Sequence, residues 1–254
     1  MSPALLCGSN IAMRHRDWLK MRIKSARKRN ATWVRALDVA RLLPTPAGRA
    51  LLWLLLTRRN DLHQTSADTW PDRYPELFDL VAGLAPADAR ILSFGCSLGD
   101  EILSLRQRFS GAEIVGAEIN RRSRAVARRR IAGDPRASVV GPQDLSGTFD
   151  IIFALAVFQR EPHKISEMEV QDLSRHYPFS RFDEAISGLL RHLRPGGLLC
   201  VDASHYRVED TTDAPHLIPI QQSPAARGEL FGPNGRRLRG VSAATLFRKR
   251  SSAP

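Results

Sequence analysis

Short apolar runs alternate with helical patterns through the middle of this chain. The runs predicted as β-strands are 90–94, 113–118, 137–140, 149–155 and 198–202. The run at 149–155 is apolar at nearly every position, which is typical of a strand covered on both faces. Strands that alternate with helices predict a parallel sheet with helices packed on its two faces.

Helical periodicity fills the intervals between these strands. The predicted helices are 75–84, 101–109, 121–132 and 181–193. Near the end of the chain, a turn at 232–235 precedes an apolar stretch at 241–247, which we predict as the terminal strand of an antiparallel hairpin. The predicted fold class is therefore α/β, a Rossmann-like, doubly wound and mostly parallel sheet with a C-terminal antiparallel hairpin.

The first 60 residues differ from the rest in charge. They contain 13 Lys and Arg residues against two acids, which is +11 of the total formal charge of +12. Helical patterns at 14–30, 31–43 and 45–56 predict a basic helical N-terminal extension, followed by one domain at 61–254. Such an arm could bind an anionic partner, a nucleic acid or a membrane surface. The alternative is a solvated extension, or a lid that packs on the main domain through its Trp and Leu side chains.

Cysteine spacing and hydropathy indicate the cellular compartment in which the protein is expected. Cys7, Cys96 and Cys200 have neither paired nor metal-ligand spacing, so no disulfide framework and no metal site is expected. The longest apolar run, at 50–56, is far below the ~20 residues of a bilayer span. The basic cluster follows the mildly apolar start, an order opposite to that of a signal peptide. We therefore expect a cytoplasmic protein without a transmembrane segment.

The stretch 90–101 has the order of a strand, a glycine loop and a helix start, which brings backbone close to a nucleotide-like ligand. Glu118 ends the second strand, 23 residues after Gly95, where an acid can accept hydrogen bonds from ribose hydroxyls. Gln143 and Asp144 follow the third strand, in a position to contact an adenine. All three features lie at carboxyl ends of strands, where doubly wound sheets bind ligands.

The charge near the loop distinguishes between two classes of ligand. Ser97 stands where close approach to a pyrophosphate would need a second glycine, and Asp100 and Glu101 would repel a pyrophosphate. Two carboxylates instead suit a ligand with an ammonium group. S-adenosylmethionine is such a ligand, because it combines adenosine with an amino group and a sulfonium cation.

From about residue 73 to 202 the chain resembles the class I S-adenosylmethionine-dependent methyltransferases. Leu-Arg-Pro-Gly-Gly-Leu-Leu at 193–199 is similar to the family's turn into strand five, and Phe-Asp-Ile-Ile-Phe-Ala-Leu at 149–155 to its strand four. Phe-Gly-Cys-Ser-Leu-Gly-Asp-Glu at 94–101 resembles the glycine loop of chemotaxis-receptor carboxyl methyltransferases. In that variant the acid inside strand one is missing, as at Ser93 here, and acids after the last glycine contact the cofactor amino group.

The resemblance implies S-adenosylmethionine as cofactor and a set of residues that contact it. Gly95, Cys96, Ser97 and Gly99 would line the methionine end, Asp100 or Glu101 would meet the ammonium, and Glu118 the ribose. The full set of cofactor-binding candidates is Gly95, Cys96, Ser97, Gly99, Asp100, Glu101, Glu118, Ile119, Gln143, Asp144, Ala154 and Leu155. The chemotaxis subgroup has an Arg-Asn pair after strand four, where this chain has Leu155-Ala156, so glutamate esterification is not implied. The Asn/Asp-Pro-Pro-Tyr pattern of adenine-amino methyltransferases is absent too.

The acceptor side offers weaker candidates. His205 and Tyr206 follow strand five, so either could act as a general base. Alternatively, both residues contribute only to packing. Phe158, His163, His176 and Tyr177 lie in the insertion after strand four and are substrate candidates, or else plain loop residues. Cys96 is expected to be a small loop residue without nucleophilic function, and Cys200 a core residue.

These observations favour a methyltransferase that acts on an oxygen or nitrogen of a small-molecule or glycan-like acceptor. Two alternatives stay open: an RNA or protein methyltransferase that holds its substrate with the basic arm, and a non-catalytic cofactor-binding protein on the same scaffold.

Overall fold

The computed structural model describes residues 42–58, 61–65, 69–222 and 228–251. Two compact units divide the chain, at 1–52 and 53–254. The helices predicted at 14–30 and 31–43 lie outside the described residues, except for positions 42 and 43, and so does Cys7. The division into an extension at 1–60 and a domain at 61–254 stays a prediction. Across the described ranges, no helix has the length and apolar character needed to cross a bilayer.

Helix α1 spans Pro46–Thr57. Thr45 precedes it and its hydroxyl accepts a hydrogen bond from the backbone N–H of Gly48 at 3.0 Å, the geometry of an N-cap. Pro46 at the first helical position is favoured because a proline there lacks only an N–H that the helix would not use. The Thr-Pro pair therefore starts this helix where the sequence predicts it.

Strands and helices alternate through the second unit. The helices are α2 (Pro75–Ala82), α3 (Asp100–Arg108), α4 (Arg121–Arg130), α5 (Pro162–Glu167) and α6 (Phe179–His192). The strands are β1 (Arg90–Phe94), β2 (Glu113–Ala117), β3 (Ala137–Val140), β4 (Phe149–Leu155), β5 (Leu193–Asp202), β6 (Leu217–Gln222) and β7 (Ala244–Lys249). The bounds of β1, β3 and β4 coincide with the predicted ones.

The strands form one seven-stranded sheet in the order β3-β2-β1-β4-β5-β7-β6. The five strands from β3 to β5 are parallel, whereas β7 pairs antiparallel with both β5 and β6. The chain order reverses between β1 and β4, so the loops after these two strands flank the switch point at the carboxyl edge of the sheet. This topology confirms the predicted Rossmann-like, mostly parallel sheet with a C-terminal antiparallel pair.

Apolar side chains cover both faces of the sheet. Adjacent residues of β4 separate between the faces: Ile152 and Ala154 join one core, and Ile151 and Phe153 the other. Both cores are buried, which explains why the central strands read as continuous apolar runs.

Three predicted details need correction. Strand β5 begins at Leu193 and not at Leu198, because the Arg-Pro-Gly-Gly segment forms an irregularity within the strand where Leu193 pairs with Phe149. The terminal strand is Ala244–Lys249, shifted from 241–247. Its hairpin partner is β6, which the sequence pattern did not indicate because all but one of its residues are exposed.

Candidate functional site

The glycine loop between β1 and α3 adopts backbone conformations that few residues tolerate. Gly95 and Gly99 have φ of +77° and +92°, and Ser97 between them has φ of +49°. A Cβ atom on Gly95 would lie 2.4 Å from Cγ2 of Val157, in the loop after β4. Glycine at this position is therefore required both by the backbone angle and by the close approach of the neighbouring loop.

Glu118, which directly follows β2, forms a hydrogen bond with this loop. Its carboxylate accepts hydrogen bonds from the backbone N–H of Ser97 at 2.9 Å and from that of Asn120 at 2.6 Å. Burial raises the pKa of Glu118, while the two backbone hydrogen bonds and the charge of Arg124 oppose the increase. An ionised carboxylate has more acceptor sites than these two contacts use, so Glu118 can also accept from the hydroxyls of a sugar.

The two acids that open α3 have different surroundings. Asp100 is buried and forms an ion pair with Arg130 of α4. Glu101 instead accepts a hydrogen bond from the hydroxyl of buried Ser93 at 2.6 Å. Burial raises the pKa of Glu101 to about 7, although the Ser93 hydrogen bond and the charge of Arg73 lower it. Of the two predicted ammonium contacts, Glu101 is thus the carboxyl that has no arginine at ion-pair distance among the described residues.

Cys96 and the remaining cofactor candidates surround this loop. The Cys96 thiol is buried, and burial raises its pKa, so it lacks thiolate character. A Cβ on Gly116 of β2 would lie 2.7 Å from its sulfur, which shows that Cys96 packs against that strand. Ile119 is partly buried, Gln143 and Asp144 are exposed in a 3₁₀ turn after β3, and Ala154 and Leu155 are buried in β4.

Backbone strain recurs at the carboxyl ends of β4 and β5. Ala156 and Ala203 have φ of +56° and +50°, values that alanine rarely adopts. Asp202 links the two loops: its backbone carbonyl accepts from the Ala156 N–H at 2.9 Å, and its carboxylate accepts from the Ala203 N–H at 2.6 Å. Strained residues that the surrounding structure holds in place are typical of ligand sites. With Ser97, they mark the edge of the sheet at the switch point.

The two candidate general bases lie in the interior. His205 is 1% exposed, and its ring nitrogens contact the backbone oxygens of Glu229 at 3.0 Å and Arg160 at 3.2 Å. Tyr206 is also 1% exposed, and its hydroxyl donates to the backbone oxygen of Tyr177 at 2.5 Å. Burial raises the pKa of the Tyr206 phenol, so the phenol stays protonated at physiological pH and has no base form that could accept a proton. These contacts favour the packing role, so we do not retain the general-base hypothesis.

The substrate candidates divide between the surface and the core. His163 and His176 are exposed, whereas Phe158 and Tyr177 are fully buried. The two buried rings meet at His63, a residue that sequence reasoning missed. The His63 ring lies edge-on to Phe158 with 5.1 Å between ring centroids, and its Nδ1 is 2.7 Å from the Tyr177 hydroxyl. The sequence feature that could have indicated this segment is Leu62, an apolar residue in an otherwise polar stretch, which is buried in the structure.

Comparison with known proteins finds a methyltransferase among curated sequences. No protein-family model matches the chain. Trans-aconitate 2-methyltransferase of Deinococcus radiodurans is 29% identical over 145 residues, which are 52% of this chain and 48% of the relative. The chain thus aligns with about half the length of this curated relative.

Solved structures with weaker similarity include methyltransferases. A TehB-like SAM-dependent methyltransferase from Corynebacterium glutamicum is 18% identical with a TM-score of 0.44, over 70% of this chain and 89% of that protein. TehB from Haemophilus influenzae is 16% identical with a TM-score of 0.46, over 69% and 62%. The sheet topology and the sequence relative together show that this chain is similar to the class I S-adenosylmethionine-dependent methyltransferases, as its glycine loop led us to expect.

Proposed function

We propose that this protein is an enzyme that transfers a methyl group from S-adenosylmethionine to an oxygen or nitrogen of a small-molecule or glycan-like acceptor. The observation that carries the proposal is the glycine loop, held by the Glu118 carboxylate at the switch point of the sheet. Similarity to a curated methyltransferase supports the same reaction class.

The donor groups at this edge fit the chemistry of S-adenosylmethionine. Gly95 and Gly99 leave backbone without side chains where the methionine end would lie, and Ser97 carries only a hydroxymethyl group. Glu118 would hold the ribose hydroxyls and Glu101 the ammonium, for which a carboxylate is the appropriate partner. Asp100 instead forms an ion pair with Arg130 of α4.

When bound, S-adenosylmethionine supplies a methyl group on a positively charged sulfur, which is already an activated donor. The protein then has to bind and orient the acceptor and to exclude water, and it needs little further side-chain chemistry. The loops after β4 and β5, with strained Ala156 and Ala203, are placed at the same edge as the glycine loop and can form the wall on the acceptor side.

Isothermal titration calorimetry with S-adenosylmethionine and its demethylated product tests the cofactor assignment. We expect saturable binding that Glu118→Ala weakens by at least about a hundredfold, since two hydrogen bonds to a charged group contribute about 3 kcal/mol or more. Glu113→Ala, at the exposed start of β2, is the matched control and should bind normally. No binding by a sample with a folded circular dichroism spectrum would refute the proposal.

Transfer of a labelled methyl group to pools of acceptors then tests the reaction. The pools should include small organic acids, among them trans-aconitate because of the curated relative, together with sugars, amines, RNA and protein. Label in a small-molecule or sugar pool, lost in Glu118→Ala, is the expected result. Label in RNA or protein alone would favour the macromolecular alternative, and label in none of the pools would favour a cofactor-binding protein without transferase activity.

A further inference from the structure

Helix α4 concentrates positive charge within the second unit. It carries six arginines and no acidic residue over its ten positions. Residues 61–254 contain 25 Lys and Arg residues and 24 acids, so without the six arginines of α4 the acids would be in excess by five. The charge of this helix is therefore a local feature and does not follow from the composition of the domain.

Four of these arginines surround a single alanine on the exposed side of the helix. With 3.6 residues per turn, positions 121 and 128 lie on one side of position 125, and positions 122 and 129 lie on the other. Ser123 and Ala127, on the opposite side of the helix, are buried. We define the arginine face by its exposed residues, which are Arg121, Arg122, Ala125, Arg128 and Arg129. From first to last residue it extends about 12 Å along the helix axis, at ~1.5 Å per residue.

The charge of the arginine face is not neutralised within the described part of the chain. Among the described residues, Arg121, Arg122 and Arg129 have no hydrogen-bond or ion-pair partner. Arg128 donates from Nε to the backbone oxygen of Val139 at 2.7 Å, which is an uncharged partner. A guanidinium has five N–H donors, so most of the donors on this face are available to a ligand.

Two acids near the helix are already paired with other arginines. Asp100 forms an ion pair with Arg130, and Asp134, which follows the helix, forms one with Arg106 of α3. The first turn of α4 contains no acid, so the two arginines of that turn add to the positive end of the helix dipole. The face therefore presents four like charges, and an external anion would relieve their mutual repulsion.

The composition of the face distinguishes between classes of anionic partner. Each guanidinium can bind a phosphate through two parallel hydrogen bonds. Membrane-surface helices insert large apolar side chains, and the cores of protein interfaces bury them, whereas this face contains only Ala125 besides its arginines. A nucleic-acid duplex carries one charge per ~1.7 Å of its axis, or about seven over the length of the face. A phosphodiester backbone thus matches the face in charge density and needs no apolar contact.

From this arrangement we propose that the arginine face of α4 binds the phosphodiester backbone of a nucleic acid. Arg121 and Arg128 would contact phosphates on one side of Ala125, and Arg122 and Arg129 on the other, while the small alanine lets the backbone lie between them. Contacts of this kind position a nucleic acid without reading its base sequence. The inference goes beyond the proposed methyl transfer and does not depend on it.

Fluorescence anisotropy with a labelled single-stranded RNA and a labelled DNA duplex tests the proposal on the full chain. We expect saturable binding that weakens steeply as the salt concentration rises, and the tighter probe identifies the kind of strand. Ala125→Glu places a carboxylate at the centre of the face and should weaken binding at least about tenfold, because like charges that meet across an interface are strongly unfavourable. Ala125→Gln, of nearly the same size, is the matched control and should leave the affinity nearly unchanged.

A pair of double variants measures how many phosphate contacts the face makes. Arg122→Gln/Arg129→Gln should reduce the slope of log affinity against log salt by about 1.8 on the duplex, or roughly 1.4 on the single strand, because two phosphate contacts are lost. Arg175→Gln/Arg191→Gln makes the same change in net charge at exposed positions outside α4 and should leave the slope unchanged. All variants should keep the circular dichroism spectrum and the thermal midpoint of the wild type.

Four results would overturn the proposal. Absence of binding by the wild type at low salt would show that the face has no nucleic-acid partner. Equal affinity in the wild type and Ala125→Glu would assign binding to basic residues elsewhere. Equal losses of slope in the two double variants would show an effect of net charge alone. Tighter binding to polyglutamate, or to vesicles of equal parts phosphatidylserine and phosphatidylcholine, would assign the face to another kind of anion. These measurements contain no cofactor, so their failure leaves the proposed methyl transfer unaffected.

Discussion

Glu101 should make the stability of this protein depend on pH in an unusual direction. A carboxyl that gains a salt bridge on folding has a lowered pKa, and it stabilises the folded state above that pKa. Glu101 behaves in the opposite way, because burial raises its pKa from 4.5 to about 7 in the folded protein. Between these two values the unfolded chain is ionised at this position while the folded protein still holds the proton.

The sign of the effect follows from proton counting. Below pH 4.5 both states are protonated and Glu101 has no influence. As the pH rises, the folded state binds more protons than the unfolded state, so the free energy of unfolding falls by up to roughly 1.4 kcal/mol per pH unit. Above pH 7 both states are ionised and the loss levels off. From pH 5 to pH 8 the expected loss from this residue is about 2 to 3 kcal/mol.

Glu101→Gln removes the titration while it keeps an oxygen that can accept from the Ser93 hydroxyl. Urea unfolding of the wild type and the variant at pH 5, 6, 7 and 8 measures the difference. The stability of the variant relative to the wild type should increase by about 2 to 3 kcal/mol across this range. Glu184→Gln, an exposed change on α6, should follow the wild type at every pH. Curves for wild type and Glu101→Gln that stay parallel from pH 5 to pH 8 would refute the reasoning.

Three further predictions concern the proposed site and its surroundings. Gly95→Ala places a Cβ at φ +77° and 2.4 Å from Val157, so calorimetry should show at least about tenfold weaker cofactor binding. Gly133→Ala, whose Cβ would have no atom within 4 Å, should leave cofactor affinity unchanged. At pH 6, binding of S-adenosylmethionine should release close to one proton from Glu101. Calorimetry in different buffers should show this release as a buffer-dependent binding enthalpy, which Glu101→Gln abolishes. A buffer-independent enthalpy in the wild type would contradict the ammonium contact. Tyr206→Phe should cost about 1 to 3 kcal/mol of stability and change the transfer rate less than about twofold, whereas a general base would change it about a hundredfold or more.

The local fold of the proposed donor side could be predicted from the sequence because most of its residues follow one another along the chain. The apolar run 90–94 and the glycines after it specify a strand and a turn without help from distant residues, and β1 has the predicted bounds. Glu118 follows from the same logic at the end of the next strand. Which acid of the Asp100-Glu101 pair forms an ion pair within the protein could not be predicted, because it depends on Arg130, a residue of another helix.

Elements at the edge of the sheet were harder to predict for a physical reason. Strand β6 contains Pro219 and has almost no buried residues, so its sequence carries neither alternation nor an apolar run. Strand β5 begins within an Arg-Pro-Gly-Gly segment that has the composition of a turn. In both cases pairing with a neighbouring strand overrides the local preference of the sequence.

The surroundings of Leu62 and His63 depend on contacts over a much longer range. Leu62 is separated from Arg160 by 98 residues and from Arg181 by 119, and their shared carbonyl contact exists only after the domain has folded. No spacing rule along the chain could bring these residues together, whereas the donor loop is complete within about ten residues. A single sequence shows local patterns only, so it predicted the glycine loop and missed His63.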